Sequence, residues 1–365
     1  MTPDAHDPVY RLPPDELEPE VTYSARLFAA MADERDWGHV PLGLEVLHGR
    51  GVRGAGVLVA VLDTGIDKAH PDLRERVAGG HDFTGGADWT DNQNHGTHCS
   101  GIVAAATNGD GLIGAAPEAK LLVGKVLDDS GSGRSSWIAA GIRWAAEGGA
   151  DVISLSLGGP GTDAATREAI RFAVSKGCWV VAAAGNTGKA DDNFPGHYAE
   201  SCAVAACDKQ LRRATFSTIN VENDIAAPGV SILSTLPGGR YGQMSGTSMA
   251  TPYVAGCLAL VRGELKRLGR PVPPQSGMIA ALKRTARDLG LNGTDGETGA
   301  GLVEPAKLLA ELIGVTGPVT PPPGAYPARK VTGGVRVDGV QVSFEGDFAV
   351  GARTVVGRCT LSRTE

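Results

Sequence analysis

Apolar residues in this chain fall into short unbroken blocks separated by Gly-rich turns. The blocks "GVLVAVLD" (56–63), "AKLLVGKVL" (119–127), "ADVISLSLG" (150–158), "CWVVAAAGN" (178–186) and "SCAVAAC" (201–207) have the length of strands. They do not alternate apolar with polar, as a strand with one wet face would. Such runs mark strands covered on both sides. Between them lie helix-like segments: "HGTHCSGIVAAAT", "SSWIAAGIRWAAEGG", "AATREAIRFAVSKG" and "TSMATPYVAGCLALVRGEL". Strands alternating with helices of this length predict a three-layer α/β fold with a central, mostly parallel sheet. Functional groups in such sheets gather where strands end. Asp63, Ser156-Leu157-Gly158 and Gly185-Asn186 all stand at strand ends.

The pattern changes towards both ends. Residues 1–34 read as an arm, acidic and Pro-rich, with a short helical patch in "SARLFAAMADE". Residues 35–313 carry the repeating α/β pattern. "GVTGPVTPPPGAYPA" (314–328) has the composition of a stiff linker. Residues 329–365 alternate polar and apolar around Gly, which predicts a small β appendage of three or four strands. Alone it would be marginal, so it is expected to pack on the main domain, a second copy or a partner.

Composition narrows the classes. The chain has 365 residues, 42% of them hydrophobic, enough for a sizeable core, and a net charge of −7. There is no basic field for nucleic acid and no apolar run that spans a bilayer. The N-terminus lacks the basic and apolar regions of a secretory signal, which predicts a cytoplasmic protein unless a leader has been removed. Its six cysteines, at 99, 178, 202, 207, 257 and 359, form no CxxC pair and are expected to be free thiols.

Candidate chemistry starts with Asp63 in "LDTG". By itself it reads as half of an aspartic-protease pair, a metal ligand, the orienting acid of a triad, or a turn Asp. A second DTG is absent. "NHGTHCSG" then adds His95 and His98, three apart at a helix start. A metal pair of the HExxH kind is disfavoured because Gly96 replaces the glutamate. "SGTSMATP" adds Ser248 after a Gly-rich turn. An activated serine needs a base, and the base needs a partner to fix its tautomer. Asp63, His95 and Ser248 supply those residue types. A helix N-terminus beneath Ser248 would add backbone donors where an oxyanion forms. Each residue also has a plainer reading: Ser248 as an N-cap, Asn186 as a turn residue. The order Asp, His, Ser opposes the α/β-hydrolases.

The motifs "VAVLDTGID..HPDL", "NHGTHCSGIVAA", "GAAPEAKLLVGKVL", "ISLSLGG", "VVAAAGN" and "GTSMATPYVAG" occur in the order of the subtilisin-like serine proteases (subtilases). The chain resembles that family from about Asp33 to about Glu304. "SILSTLPGGRYGQMSGTSMATP" is most similar to the intracellular subtilisins of bacteria. The resemblance implies an endopeptidase with Ser248 as nucleophile, His95 as base, Asp63 as orienting acid and Asn186 as oxyanion donor. It implies that a polypeptide substrate lies as an added strand between Gly131-Ser132-Gly133 and Ser156-Leu157-Gly158. It also implies a structural Ca²⁺, held by Asp33, Asp72, the Asn108 side chain and the backbone oxygens of Ala106, Asp110 and Leu112. Cys99 would lie beneath the triad, either open to mercurials or simply a small buried side chain. Asp191 and Asp192, on a segment short for the family, would favour basic residues if they line the pocket. Pro195 stands where the proprotein convertases carry an acid, so dibasic processing is not implied. "VYRLPP" in the arm is a candidate for covering the cleft. The alternatives are a maturation protease for one partner peptide and a catalytically silent peptide-binding scaffold.

Overall fold

A computed structural model of the chain describes residues 7, 9–12 and 33–315, together with the backbone of four strands between 329 and 363. The helical patch at 24–32, linker residues 316–328 and Cys359 lie outside the described residues. Contacts divide the chain into two units, Met1–Val319 and Thr320–Glu365.

The first unit opens with β1 (Val9–Arg11) and two short helices, His39–Leu42 and Leu44–Gly49. Then come β2 (Leu58–Asp63), β3 (Val77–Asp82), the helix His95–Ala104, β4 (Lys120–Lys125), β5 (Ser132–Arg134), the helix Ser135–Glu147 and β6 (Val152–Leu155). The helix Ala164–Ser175, β7 (Trp179–Ala183), β8 (Cys202–Cys207), β9 (Ile225–Pro228), and the hairpin of β10 (Ile232–Leu236) and β11 (Arg240–Met244) follow. The helices Thr247–Arg267, Gln275–Thr285 and Pro305–Ile313 complete it.

Seven strands form one sheet in the order β3-β4-β2-β6-β7-β8-β9, every pair parallel. Alternate residues of β2 enter different cores. Val59 and Val61 pack in a cluster with Val103 and Val254 from the helices His95–Ala104 and Thr247–Arg267. Ala60 and Leu62 pack with Ile138 and Ile170 from Ser135–Glu147 and Ala164–Ser175. A strand that feeds two cores has no face left for polar residues, which is why the runs are apolar throughout. The three-layer α/β expectation thus holds. Periodicity did not announce β3, β9 or the β10–β11 hairpin. β3, "VAGGHD", is an edge strand and half-exposed, so it need not be uniformly apolar.

In the second unit β13 (Val340–Gly351) pairs antiparallel with β12 (Arg329–Val337), β14 (Thr354–Val356) and β15 (Thr360–Arg363).

Candidate active site

Asp63 ends β2 and is fully buried. The chain then turns at Gly65 (φ +111°), where a Cβ would fall 2.5 Å from the Trp89 carbonyl oxygen. Gly96 meets Gly65 so closely that its own Cβ would lie 2.2 Å from the Gly65 oxygen. Two glycines therefore let the strand end and the start of helix His95–Ala104 touch, which no larger residues would allow. The link is tightened by Thr64, whose Oγ1 accepts from Gly96 N (2.8 Å) and donates to Asp91 Oδ1 (2.8 Å).

Asp91 was not singled out from the sequence. It is buried, and it caps the helix: Oδ1 accepts from Gln93 N and Asn94 N, and Oδ2 from Thr97 N (2.8 Å) and Thr97 Oγ1 (2.6 Å). Asn94, the residue before His95, is held at φ +94°, a left-handed conformation that costs about 1–3 kcal/mol outside glycine. An Asp four residues before the His, in a run of Asn and Gln, is the cap signal that could have found it.

The outcome is a fixed imidazole. His95 Nδ1–H donates to Asp63 Oδ1 at 2.8 Å, and Thr64 N donates to the same oxygen at 2.7 Å. Burial by itself would lower the His95 pKa, but the Asp63 carboxylate bonded to its ring outweighs it and holds the imidazole well above its usual range. His98 differs. Its Nε2 donates to the carbonyls of Ile232 (3.0 Å) and Gly242 (3.1 Å), and burial pushes its pKa down to about 3. It is a neutral tie between the helix and the β10–β11 hairpin.

Ser248 is the second residue of the helix Thr247–Arg267 and is almost fully buried. Three hydrogen bonds to two neighbours hold it. Ser156 Oγ donates to the Ser248 carbonyl at 2.8 Å, Cys99 Sγ donates to it at 3.5 Å, and Ser248 Oγ donates to the Ser156 carbonyl at 3.3 Å. Cys99 Sγ also lies 3.8 Å from His95 Nδ1, so one small side chain touches both segments. Burial pushes its thiol up to about 11, leaving a neutral packing group.

Asn186 stands beside this group. Its Oδ1 accepts from Thr247 N and Thr247 Oγ1, both at 2.9 Å. This commits the oxygen to Thr247 and leaves Nδ2 as the donor on the other branch of the amide.

Of the two segments expected to hold a peptide, the one at Ser156 touches Ser248 directly. Ser156-Leu157-Gly158 continues β6, and Gly131 precedes β5. Between Gly158 and Gly185 sits Asn193, which the sequence reading passed over. A Cβ on Gly158 would fall 2.3 Å from its Nδ2, and one on Gly185 would fall 2.9 Å from its Cβ. Asn193 Nδ2 donates to the Ala183 carbonyl (2.7 Å), and its N donates to His197 Nδ1 (2.9 Å). Asp192 Oδ1 accepts from Asn220 Nδ2 (2.9 Å) and lies 4.0 Å from His197 Nδ1, and Asp191 lies 4.0 Å from Lys189.

The residues expected at a metal also converge. Asp33 Oδ1 accepts from Asn108 N and Gly109 N, both at 3.1 Å. Asp72 Oδ1 accepts from Asn108 Nδ2 (2.9 Å), and Oδ2 from Leu112 N and Tyr241 OH (2.9 Å each). Among the described residues, no backbone N–H donates to the carbonyls of Ala106, Asp110 or Leu112. Two carboxylates, an amide and three unclaimed carbonyls form an all-oxygen donor set, which fits a hard cation once the Asn108 amide turns its oxygen inward.

The segment Ser132–Arg134 is paired in this structure with the arm. β1 lies antiparallel to β5, with Val9 opposite Arg134, Tyr10 opposite Gly133 and Arg11 opposite Ser132. Leu12 N donates to the Gly131 carbonyl at 2.9 Å. Tyr10 is buried and belongs to the hydrophobic cluster that includes Leu127, Ile138, Leu155 and Leu157. The remaining residues of "VYRLPP", Pro13 and Pro14, lie outside the described residues.

A parallel α/β sheet that sets a buried Asp-His pair near a helix-start serine has the architecture of a serine-nucleophile hydrolase. Residues 54–301 match the Subtilase family, and the chain belongs to that family. It is 45% identical over 249 residues to the intracellular serine protease of Paenibacillus polymyxa, covering 64% of this chain and 76% of that one. It is 46% identical over 250 residues to M-protease of Shouchella clausii (strain KSM-K16), covering 68% of this chain and 65% of the relative. It is 47% identical over 233 residues to subtilisin E of Bacillus subtilis (strain 168), covering 61% of each. No helix among the described residues is long and apolar enough to cross a membrane.

Proposed function

We propose that this chain is a serine endopeptidase acting on extended polypeptides. The observation that carries the reading is the 2.8 Å bond from His95 Nδ1–H to Asp63, in a cleft that also holds Ser248 and Asn186. Ser248 Oγ attacks the peptide carbonyl while His95 Nε2 takes its proton. Asp63 keeps the imidazole in the required tautomer and stabilises the imidazolium. The oxyanion meets Asn186 Nδ2 and backbone donors at the helix start. His95 then protonates the leaving amine, and water releases the acyl group. Casein digestion by the wild type and by Ser248→Ala tests the reading. A silent peptide-binding scaffold would leave casein intact in both.

The raised His95 pKa sets a pH dependence. A general base must be neutral to accept a proton, so kcat/KM falls as pH drops through that raised value. The acid limb is therefore expected above about 6.5, the ordinary value for histidine. Asp63→Asn should move the limb downward as well as reduce the rate. A wild-type kcat/KM profile with its limb at or below the ordinary value would contradict this.

Calcium is the cation we propose for the Asp33–Asp72 loop. Bound, it would tie residue 33 to the segment 106–112 and stiffen both; it takes no part in the chemistry. EDTA is expected to lower Tm by about 5 °C, the size produced by losing a ligand present at a hundred times its Kd. An unchanged Tm removes the site.

The arm supports a second element of the reading. Because β1 occupies one of the two proposed substrate strands, the chain as it stands is a self-inhibited peptidase. The peptide must displace residues 9–12 to bind.

A further inference from the structure

The arm touches the domain at a place beyond the cleft proper. Asp7 Oδ1 accepts from Ser136 N at 3.0 Å, and Asp7 Oδ2 accepts from Ser136 Oγ at 2.6 Å. Ser136 is the second residue of the thirteen-residue helix Ser135–Glu147. The helix N-cap, Arg134, makes no side-chain capping bond. A carboxylate therefore serves a helix end whose own sequence supplies no cap, where backbone donors and the helix dipole favour negative charge. The register of β1 on β5 fixes the spacing. Three residues after Asp7, Tyr10 fills the apolar pocket opposite Gly133. A Cβ on Gly159 would fall 3.0 Å from its ring, so that glycine is part of the pocket mouth. Two residues later, Leu12 lies over Gly131, its side chain 3.2 Å from where a Cβ would stand.

These contacts are made by a strand running where a substrate strand is proposed to run. We propose that the arm is a template of the preferred substrate, and that Ser136 at the start of helix Ser135–Glu147 forms a remote subsite for an acidic side chain. The favoured peptide carries Asp or Glu three residues before an aromatic residue and five before an apolar one. The inference rests on the endopeptidase reading and on the substrate strands at Gly131–Gly133 and Ser156–Gly158.

The acidic residue is recognised by geometry as well as charge. A carboxylate has two acceptor oxygens for the two Ser136 donors, whereas an amide in the same place offers one acceptor and one donor. Losing one charge-assisted bond at a helix N-terminus corresponds to a preference of about fivefold.

The test uses the full-length chain with calcium and two quenched fluorescent peptides. One carries the arm sequence DPVYRL followed by three alanines. The other is identical except for Asn in place of its Asp. The expected kcat/KM ratio is about five in favour of the Asp peptide. In Ser136→Ala the ratio should fall to about two, because only the backbone donor is left. Any change in arm closure caused by the substitution affects both peptides alike and cancels in the ratio. Equal cleavage of the two peptides by the wild type, with casein also digested, overturns the subsite and leaves the endopeptidase reading standing. A ratio that Ser136→Ala leaves unchanged likewise overturns the role of Ser136. Absence of any Ser248-dependent cleavage, casein included, overturns both readings.

Discussion

Ser248→Ala is expected to abolish casein digestion while leaving the fold intact. The side chain is small and sits at the second position of a buried helix, so losing Oγ opens almost no cavity. One bond it gives up, to the Ser156 carbonyl at 3.3 Å, is long and weak. Stability should change by about 1 kcal/mol or less. Catalysis, by contrast, loses its only proposed nucleophile. The expected fall in kcat is about 10⁶-fold, a size carried over from subtilisin, a relative, rather than obtained from this geometry. Mass spectrometry of the digest, with Tm measured in parallel, separates the two effects. A mutant that still cuts casein at the same bonds would remove Ser248 from the mechanism. A mutant that is inactive because it has unfolded would betray itself in the Tm.

Tyr10→Ala is expected to raise activity. The side chain is 2% exposed, and it is the one deeply buried anchor among the described arm residues. Burying a large aromatic side chain contributes about 3 kcal/mol, so its removal shifts the balance between covered and open cleft by about a hundredfold. Activity follows that balance until the open form dominates, so a rise of about tenfold or more is expected on a generic unfolded substrate. Tyr10→Phe keeps the apolar ring and should stay close to wild type. The readout is initial rate on casein with Tm monitored, since the apolar pocket loses its occupant. An unchanged rate in Tyr10→Ala would mean that the arm does not limit access, and that β1 is merely a structural strand. The effect is opposite in sign to that of Ser248→Ala, so the two variants together distinguish a gated enzyme from an ungated one.

Much of this was legible in the residues. The unbroken apolar runs specified strands covered on both faces, and the strand–helix alternation left a parallel sheet as the consistent arrangement. Asp63 and Asn186 were conspicuous because each ends such a run with a polar group that burial would penalise without a partner, and His95 and Ser248 because each stands at an expected helix start. The order of the motifs then indicated the family. These features are local: a period, a turn glycine, a polar residue at a strand end.

What the sequence did not specify depends on partners distant along the chain. Asp91 reads as one more acid in a polar loop until Thr64 and Thr97 are seen to share it. Thr247 becomes an orienting group only because the helix carrying it lies against Gly185-Asn186, sixty residues earlier. Asn193 is a loop residue until Gly158 and Gly185 close on it. The choice between His95 and His98, equally polar and three apart, was made from the family motif. The geometry separates them physically: one turn of helix points the first at a carboxylate and the second at two carbonyl oxygens. The arm, too, is only acidic and Pro-rich by composition, and the match of Tyr10 to Gly133 is a register between segments more than a hundred residues apart. Periodicity is set by near neighbours and can be read along the chain. Register and hydrogen-bond partnership between distant segments are set by packing, so only the tertiary structure decided them.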